Sequence, residues 1–283
     1  MSEIDHRIYH PIDKSYSTPA SLISPLCIHH VNDDWDSSEC PYSMEGGVIP
    51  CLQEYPYVEI VYNATGTIDE SGQTIVNPCK LWNGPKSTGG LNAPYPVNNP
   101  LLMTIDGDKA IAYTSSYTFN TIGRHTVRFY SKSKIDRFLD DKERLFFQCY
   151  NLVEVHFPST FTDTKRRTFE QCSNLTAITG TEHLKYIRYF AFSGLPIKQF
   201  VVPYTLIQFE RESFYNTALP NGFICPLFTP PIMLHEEAFK AKLPKIYVPA
   251  ESLETYKTAT NWSAHASRIV PMTKSMRLKY PPR

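Results

Sequence analysis

Glycine is scarce in this chain, 12 residues in 283, and net charge is absent, with 28 lysines and arginines against 28 aspartates and glutamates. The composition excludes a collagen-like chain and a coiled coil. A neutral chain lacks the basic excess that captures phosphates, which excludes a general nucleic-acid or anionic-membrane binder. No apolar run approaches the ~18 residues a membrane helix needs. The stretch Met1–Arg7 has no basic patch leading into an apolar core, so no secretory signal is expected. What the chain has instead is proline (23), tyrosine (18) and phenylalanine (16). These suit short strands and ordered turns better than long helices. Seven widely spaced cysteines, an odd number, argue against a disulfide framework and for a reducing compartment.

From residue 152 one pattern recurs: an apolar residue, two variable ones, an apolar residue, one variable, a third apolar or small residue, often then proline. It runs Leu152-x-x-Val155-x-Phe157-Pro158, Leu175-x-x-Ile178-x-Gly180-Thr181, Ile197-x-x-Phe200-x-Val202-Pro203, Pro220-x-x-Phe223-x-Cys225-Pro226 and Leu243-x-x-Ile246-x-Val248-Pro249. The central residues step by 23, 22, 23 and 23. An aromatic anchor precedes each unit: Phe146, Phe169, Phe192, Phe214 and Phe239. One such unit cannot bury its apolar side alone, so the pattern predicts a solenoid. Each unit should supply one short strand, with the central strands joined in a single parallel ladder. The proline-heavy fourth unit (Pro220, Pro226, Pro230, Pro231) should bend or bulge the stack.

The block from Phe146 to about Pro271 resembles the bacterial surface-antigen (BspA-like) class of leucine-rich repeat. Phe169-Glu170-Gln171-Cys172-Ser173-Asn174-Leu175 and Ala191-Phe192-Ser193-Gly194 are the nearest copies of its recurring form. The ending Ile246–Lys257 with Asn261-Trp262-Ser263 is similar to the terminal cap of such arrays in gut Bacteroidales. The resemblance implies adhesion and protein recognition, with no catalysis and no cofactor. Independently of it, Leu253, Tyr256 and Ala259 share one face of a short helix over 251–259, and Trp262 should plug the open end.

The fold class expected is mainly β: an immunoglobulin-like, β-sandwich-like domain, then a solenoid of about five units of 22–23 residues with a helical C-terminal cap. The boundaries are an N-terminal arm over 1–50, the β-rich domain over 51–132, the solenoid over 133–250, and cap plus basic tail over 251–283. Tyr57–Tyr62 and Leu101–Ile105 read as strands, and Asp106-Gly107 marks a hairpin into Ala110–Tyr113. The stretch Tyr117–Phe129 resembles the closing strands of small immunoglobulin-like sandwiches, with Val127 and Phe129 inward. Ile135–Leu139 with Leu145 and Phe146 suggests a short amphipathic helix over the front of the array.

No phosphate loop, nucleophile elbow or His-Glu-x-x-His pair is present, and no enzyme is expected. Cys27, His29, His30, Cys40 and Cys51 lack the knuckle spacing of zinc sites, so no metal is expected. Cys149 and Cys172 fall at repeat core positions, where inert thiols belong.

Side chains alternate along a strand, so His156, Thr179, Val201, Ile224 and Tyr247 form one outward column that turns apolar in its last three members. That column is the expected partner-binding stripe. Residues 1–40 carry a net −5, and the tail after Met272 a net +4 from Lys274, Arg277, Lys279 and Arg283, the expected assembly tail. Two functional readings stand. One is a virion surface component of a phage of gut Bacteroidales, a crAss-like head fibre or capsid decoration. The other is a secreted or lipid-anchored bacterial adhesin. The partners expected are capsid or fibre subunits and a host surface protein or glycan, in a homo-oligomer or larger assembly, without nucleic acid.

Overall fold

The computed structural model describes residue 52 and residues 55–83, 95–107, 109–138 and 144–283. The arm over 1–50, with Cys27, His29, His30 and Cys40, and Cys51 just after it lie outside the described residues.

The N-terminal part is built from β1 (Tyr57–Ala64), β2 (Gly66–Ile68), β3 (Thr74–Val76), β4 (Cys79–Lys80), β5 (Pro100–Ile105), β6 (Lys109–Ile111), β7 (Ser116–Tyr117) and β8 (Gly123–Ser131). Alternation decides which face is buried: Val58, Ile60 and Tyr62 of β1 and Val127 and Phe129 of β8 have no exposed surface. The Asp106-Gly107 hairpin forms as its sequence predicts, pairing Ile105 with Lys109. Gly123, at φ 116°, opens β8. The repeats follow with β9 (Leu152–His156), β10 (Ala177–Thr179), β12 (Phe200–Val201), β14 (Phe223–Ile224) and β16 (Ile246–Val248). β9 pairs antiparallel with β1, so one sheet runs β10-β9-β1-β8-β5-β6 across the expected boundary at 132/133. Buried residues from Val58 to Ile269 make one continuous core.

Within the repeats the anchors do what their spacing predicts. Phe146, Phe169, Phe192 and Phe214 are fully buried and Phe239 is nearly so. Their rings form a spine, with centroids 5.4 Å apart at Phe146–Phe169, 6.2 Å at Phe169–Phe192, 5.6 Å at Phe192–Phe214 and 5.5 Å at Phe214–Phe239. The turn beside each anchor places non-glycine residues in the left-handed region: Arg144, Arg167, Phe190 and Glu212, then Gln148, Gln171, Asn216 and Ala241. Those turns aim backbone N–H groups at the next repeat, as from Phe146 to the Thr168 carbonyl (2.9 Å) and from Phe192 to Ser213 (2.9 Å). This makes a seam from the Phe146 turn to the Phe239 turn.

Four sequence expectations are corrected. First, the central strands do not form one ladder. Val155 and Ile178 are neighbours on parallel β9 and β10, and Phe200, Phe223 and Ile246 are neighbours on β12, β14 and β16. Yet β10 ends its sheet and β12 ends another, so the ladder is interrupted between them. Second, the proline-heavy fourth unit is regular. Its prolines flank Phe223–Ile224 and leave β14 paired on both sides. Third, no helix forms between Ile135 and Phe138. Arg137 instead bridges in parallel to Asp163, and Asp163 to Tyr186. The three-residue spacing of buried Ile135 and Phe138 is that of a chain entering the stack. Fourth, a sixth rung exists: β17 (Ile269–Pro271) pairs in parallel with β16. Trp262 and Ile269 each lie 23 residues after Phe239 and Ile246.

The bridges at 137 and 163 continue into a second parallel ladder that the sequence pattern did not announce, of β11 (Tyr186–Ile187), β13 (Gln208–Phe209) and β15 (Ile232–Met233). Its inward column is Phe138, Thr164, Ile187, Phe209 and Met233, all buried. The stack ends in α1 (Leu253–Thr258), on which Tyr256 is fully buried, and in Trp262, 1% exposed, whose Nε1 donates to the Pro231 carbonyl (2.9 Å). Trp262 thus closes the end as expected.

Candidate functional site: the break in the strand ladder

Where β10 and β12 fail to pair, a cleft of about 810 Å³ opens. One wall is Thr176–Thr179, the other Pro196–Val202, and Tyr280 with Lys279 stands at the side. Two features of the sequence coincide with it. The step from Ile178 to Phe200 is 22 residues, one short of its neighbours. Gly180, at φ 72°, lies so close to Phe157 that a Cβ would sit 2.1 Å from the Phe157 carbonyl oxygen. The chain can turn sharply there only as glycine, and it leaves β10 into a short 3₁₀ turn over Thr181–His183. The break coincides with the widest step in the phenylalanine spine, 6.2 Å. On the far side the second ladder stays closed through Asp163, Tyr186 and Gln208, so the repeats are wedged apart on one side only.

The closed side is held by charge. Arg188 donates through Nε and Nη2 to both Asp163 oxygens (2.9 and 2.6 Å) and through Nη1 to Glu210 (3.2 Å). Burial would raise the Asp163 carboxyl, but the Arg188 hydrogen bonds and the Lys165 N–H outweigh it and hold it below the ordinary carboxylate value.

The break splits the expected stripe in two: His156 and Thr179 are neighbours on β9 and β10, and Val201, Ile224 and Tyr247 are neighbours on β12, β14 and β16. His156 sits in a separate, smaller cleft near Tyr57 and Glu59, with its Nδ1 2.6 Å from Thr179 Oγ1. Thr179 and Val201 line opposite walls of the break. Ile224 is 1% exposed, which corrects the expectation of a solvent-facing column. A charge at position 224 would therefore disturb folding as well as any contact. Tyr247 lies over Gly222, where a Cβ would meet its ring at 2.4 Å. Glycine at 222 leaves room for the tyrosine at 247.

The expected assembly tail folds back onto the repeats. Along α2 (Lys274–Lys279), Arg277 makes a two-point ion pair with Glu251 (2.7 and 2.6 Å), which holds the Glu251 carboxyl down at about 2. The Tyr280 hydroxyl accepts from Gln199 Nε2 (2.9 Å), and the Tyr204 hydroxyl donates to the Pro281 carbonyl (2.6 Å). Arg283 exchanges backbone hydrogen bonds with Pro226 and Phe228 (2.9 and 2.8 Å), and its guanidinium lies 4.4 Å from the Tyr204 ring centre. Lys279 lies 5.1 Å from the Tyr280 ring centre, and Lys274 is exposed.

Among the described residues no group of three or more His, Cys, Asp or Glu is placed to hold a metal, and no helix is long and apolar enough to cross a membrane. Cys79, Cys149, Cys172 and Cys225 are unpaired and buried. Burial pushes the Cys79, Cys149 and Cys225 thiols up to about 12 and Cys172 well above its ordinary value, so these thiols stay protonated and unreactive.

A family model for the BspA type leucine rich repeat region matches residues 99–220 in six copies. No curated protein matches the chain. The match covers less than half of the chain and stops before the rungs at 223, 246 and 269, which continue the same parallel ladder. Residues 99–220 are thus similar to a BspA-type leucine-rich repeat region, which suggests a protein–protein interaction or adhesion-type role.

Proposed function

We propose that the protein is a non-enzymatic recognition scaffold whose repeats hold another protein, and that it works on the surface of a bacteriophage virion as a head fibre or capsid decoration. The BspA-type repeat region carries the recognition half of this reading. The virion half draws support from the four unpaired, buried cysteines, which suit a fold completed in a reducing cytoplasm where particles assemble. The strands over 57–131 are read as an immunoglobulin-like platform for the array. In support, Trp82 meets Phe129 edge-on (5.6 Å), and the Tyr62 hydroxyl donates to the Leu81 carbonyl (2.7 Å), joining the β4 segment to the main sheet.

Mass spectrometry of gradient-purified particles, with antibody labelling under the electron microscope, tests the assignment. The protein should band with particles and label their surface. Recovery in the host cell envelope or in the medium apart from particles would replace the virion by the adhesin, and recovery only inside the cell would remove both.

A further inference from the structure

The break in the ladder leaves two strand edges facing one cleft, and their hydrogen-bonding direction can be worked out. The Thr179 carbonyl accepts from Phe157 N–H (3.0 Å), so Thr179 points its backbone groups at β9. Alternation then turns those of Ile178 the other way, into the cleft. On the opposite wall, Phe200 and Val202 donate to Gly222 and Ile224 of the β14 rung (3.3 and 2.8 Å). Alternation turns the N–H and C=O of Val201 into the same cleft. Neither β10 nor β12 has a second strand partner among the described residues. An open strand edge is a template for another strand, and native folds ordinarily cover it. Here two lie opposed, over a floor and walls that include Ile197, Phe200 and Pro203.

Resting on the reading of the repeats as a protein-recognition region, we propose that this cleft takes an extended peptide segment of a partner protein as an intercalated β-strand, bonded to β10 on one edge and β12 on the other. Only a peptide backbone offers donors and acceptors on both sides at the spacing of a strand, which is why the occupant is an extended chain and not a sugar or a small apolar ligand. Specificity would come from side chains alternating between the apolar floor and the rim, where Glu182, Lys198 and Lys279 stand. Tyr280, held by Gln199, completes the site, so the tail serves as its side wall.

The test is a display library of linear peptides panned on the full chain and counter-selected on Val201→Pro, which removes the N–H of the β12 edge. Selected peptides should alternate apolar and polar residues, and Val201→Pro should weaken them at least tenfold. Because that variant could also disturb folding, the decisive measurement uses the unaltered protein and N-methylated peptides. Adjacent residues of an intercalated strand donate to opposite walls. Methylation at odd and at even positions should therefore each lower affinity about tenfold or more. Sensitivity in only one phase would mean addition to a single edge and would overturn intercalation, as would insensitivity in both or failure to select any peptide. If Val201→Pro still bands with purified particles, the cleft is not the contact while the recognition reading survives. Failure of the unaltered protein to band with particles would sink the virion assignment instead, and the peptide measurements would still decide the cleft.

Discussion

Two ladders run through the same repeats, and only one is whole. The second ladder, through Asp163, Tyr186, Gln208 and Ile232, continues across the step where β10 and β12 part. The turn seam does so too, with Phe169 N–H donating to Ala191 and Gln171 N–H to Ser193. A repeat stack therefore tolerates an open seam where the remaining two seams and the aromatic spine hold the rungs. The comparison separates continuity of the solenoid, which the spine and closed side supply, from pairing of the central strands, which can be given up for a site.

The largest test removes the spine at the break. Phe169→Ala should cost ~3–5 kcal/mol, because the ring contacts Phe146, Phe192, Phe138 and Phe157. Denaturant unfolding would measure it, and a loss below 1 kcal/mol would mean the spine does not bridge the gap.

Arg188→Met should cost roughly 1–3 kcal/mol by leaving Asp163 buried without its cation. The Asp163 carboxyl lies below its ordinary value in the folded protein, so its stabilising share is present above the unfolded pKa and is lost as pH falls through the folded one. The acid limb of a stability-versus-pH curve should flatten in the variant. An unchanged limb would remove Asp163 from the closed side's support.

Gly180→Ala should cost roughly 1–3 kcal/mol through its left-handed backbone and the Phe157 contact. It should also change binding in the cleft more than Phe169→Ala does at equal folded fraction. Equal effects would uncouple the glycine from the break.

The smallest effect lies at the far end. Burial, then Arg268, lowers His265 from 6.5 to about 4. Its share of stability should be complete above 6.5 and decline as pH falls toward about 4. His265→Gln should remove that slope, measured by thermal melts across the window.

Much of this was legible in the sequence, and the reasons for the rest are physical. Val155, Phe200, Phe223 and Ile246 announced their strands because a large apolar residue recurs at a fixed step. The second ladder stayed hidden because Thr164 occupies one of its inward positions and its strands are two residues long. Its signal was present in Ile187, Phe209 and Met233. The sixth rung was masked because Trp262 reads as a plug and Ala266 replaces the leading leucine. The cleft had the faintest signature: Gly180-Thr181 and a step one residue short. A site made by strands that do not meet has no motif of its own. Ile224 misled because local alternation gives the side of the strand a residue faces and not what covers that side.

The left-handed turns bear on how such a chain can fold in time. Arg167, Phe190 and Glu212 each hold a backbone shape that L-residues resist by roughly 1–2 kcal/mol. Glycine could have supplied it freely, but in these turns only Gly194, at the position equivalent to Gln148 and Gln171, does. A lone repeat has no reason to keep that shape until a neighbour's carbonyls are there to receive its N–H groups. The first pair of repeats must then form uphill, and each later one should dock onto a template already waiting. Refolding should show a slow nucleation followed by rapid zippering, and glycine at 167 should speed the first phase.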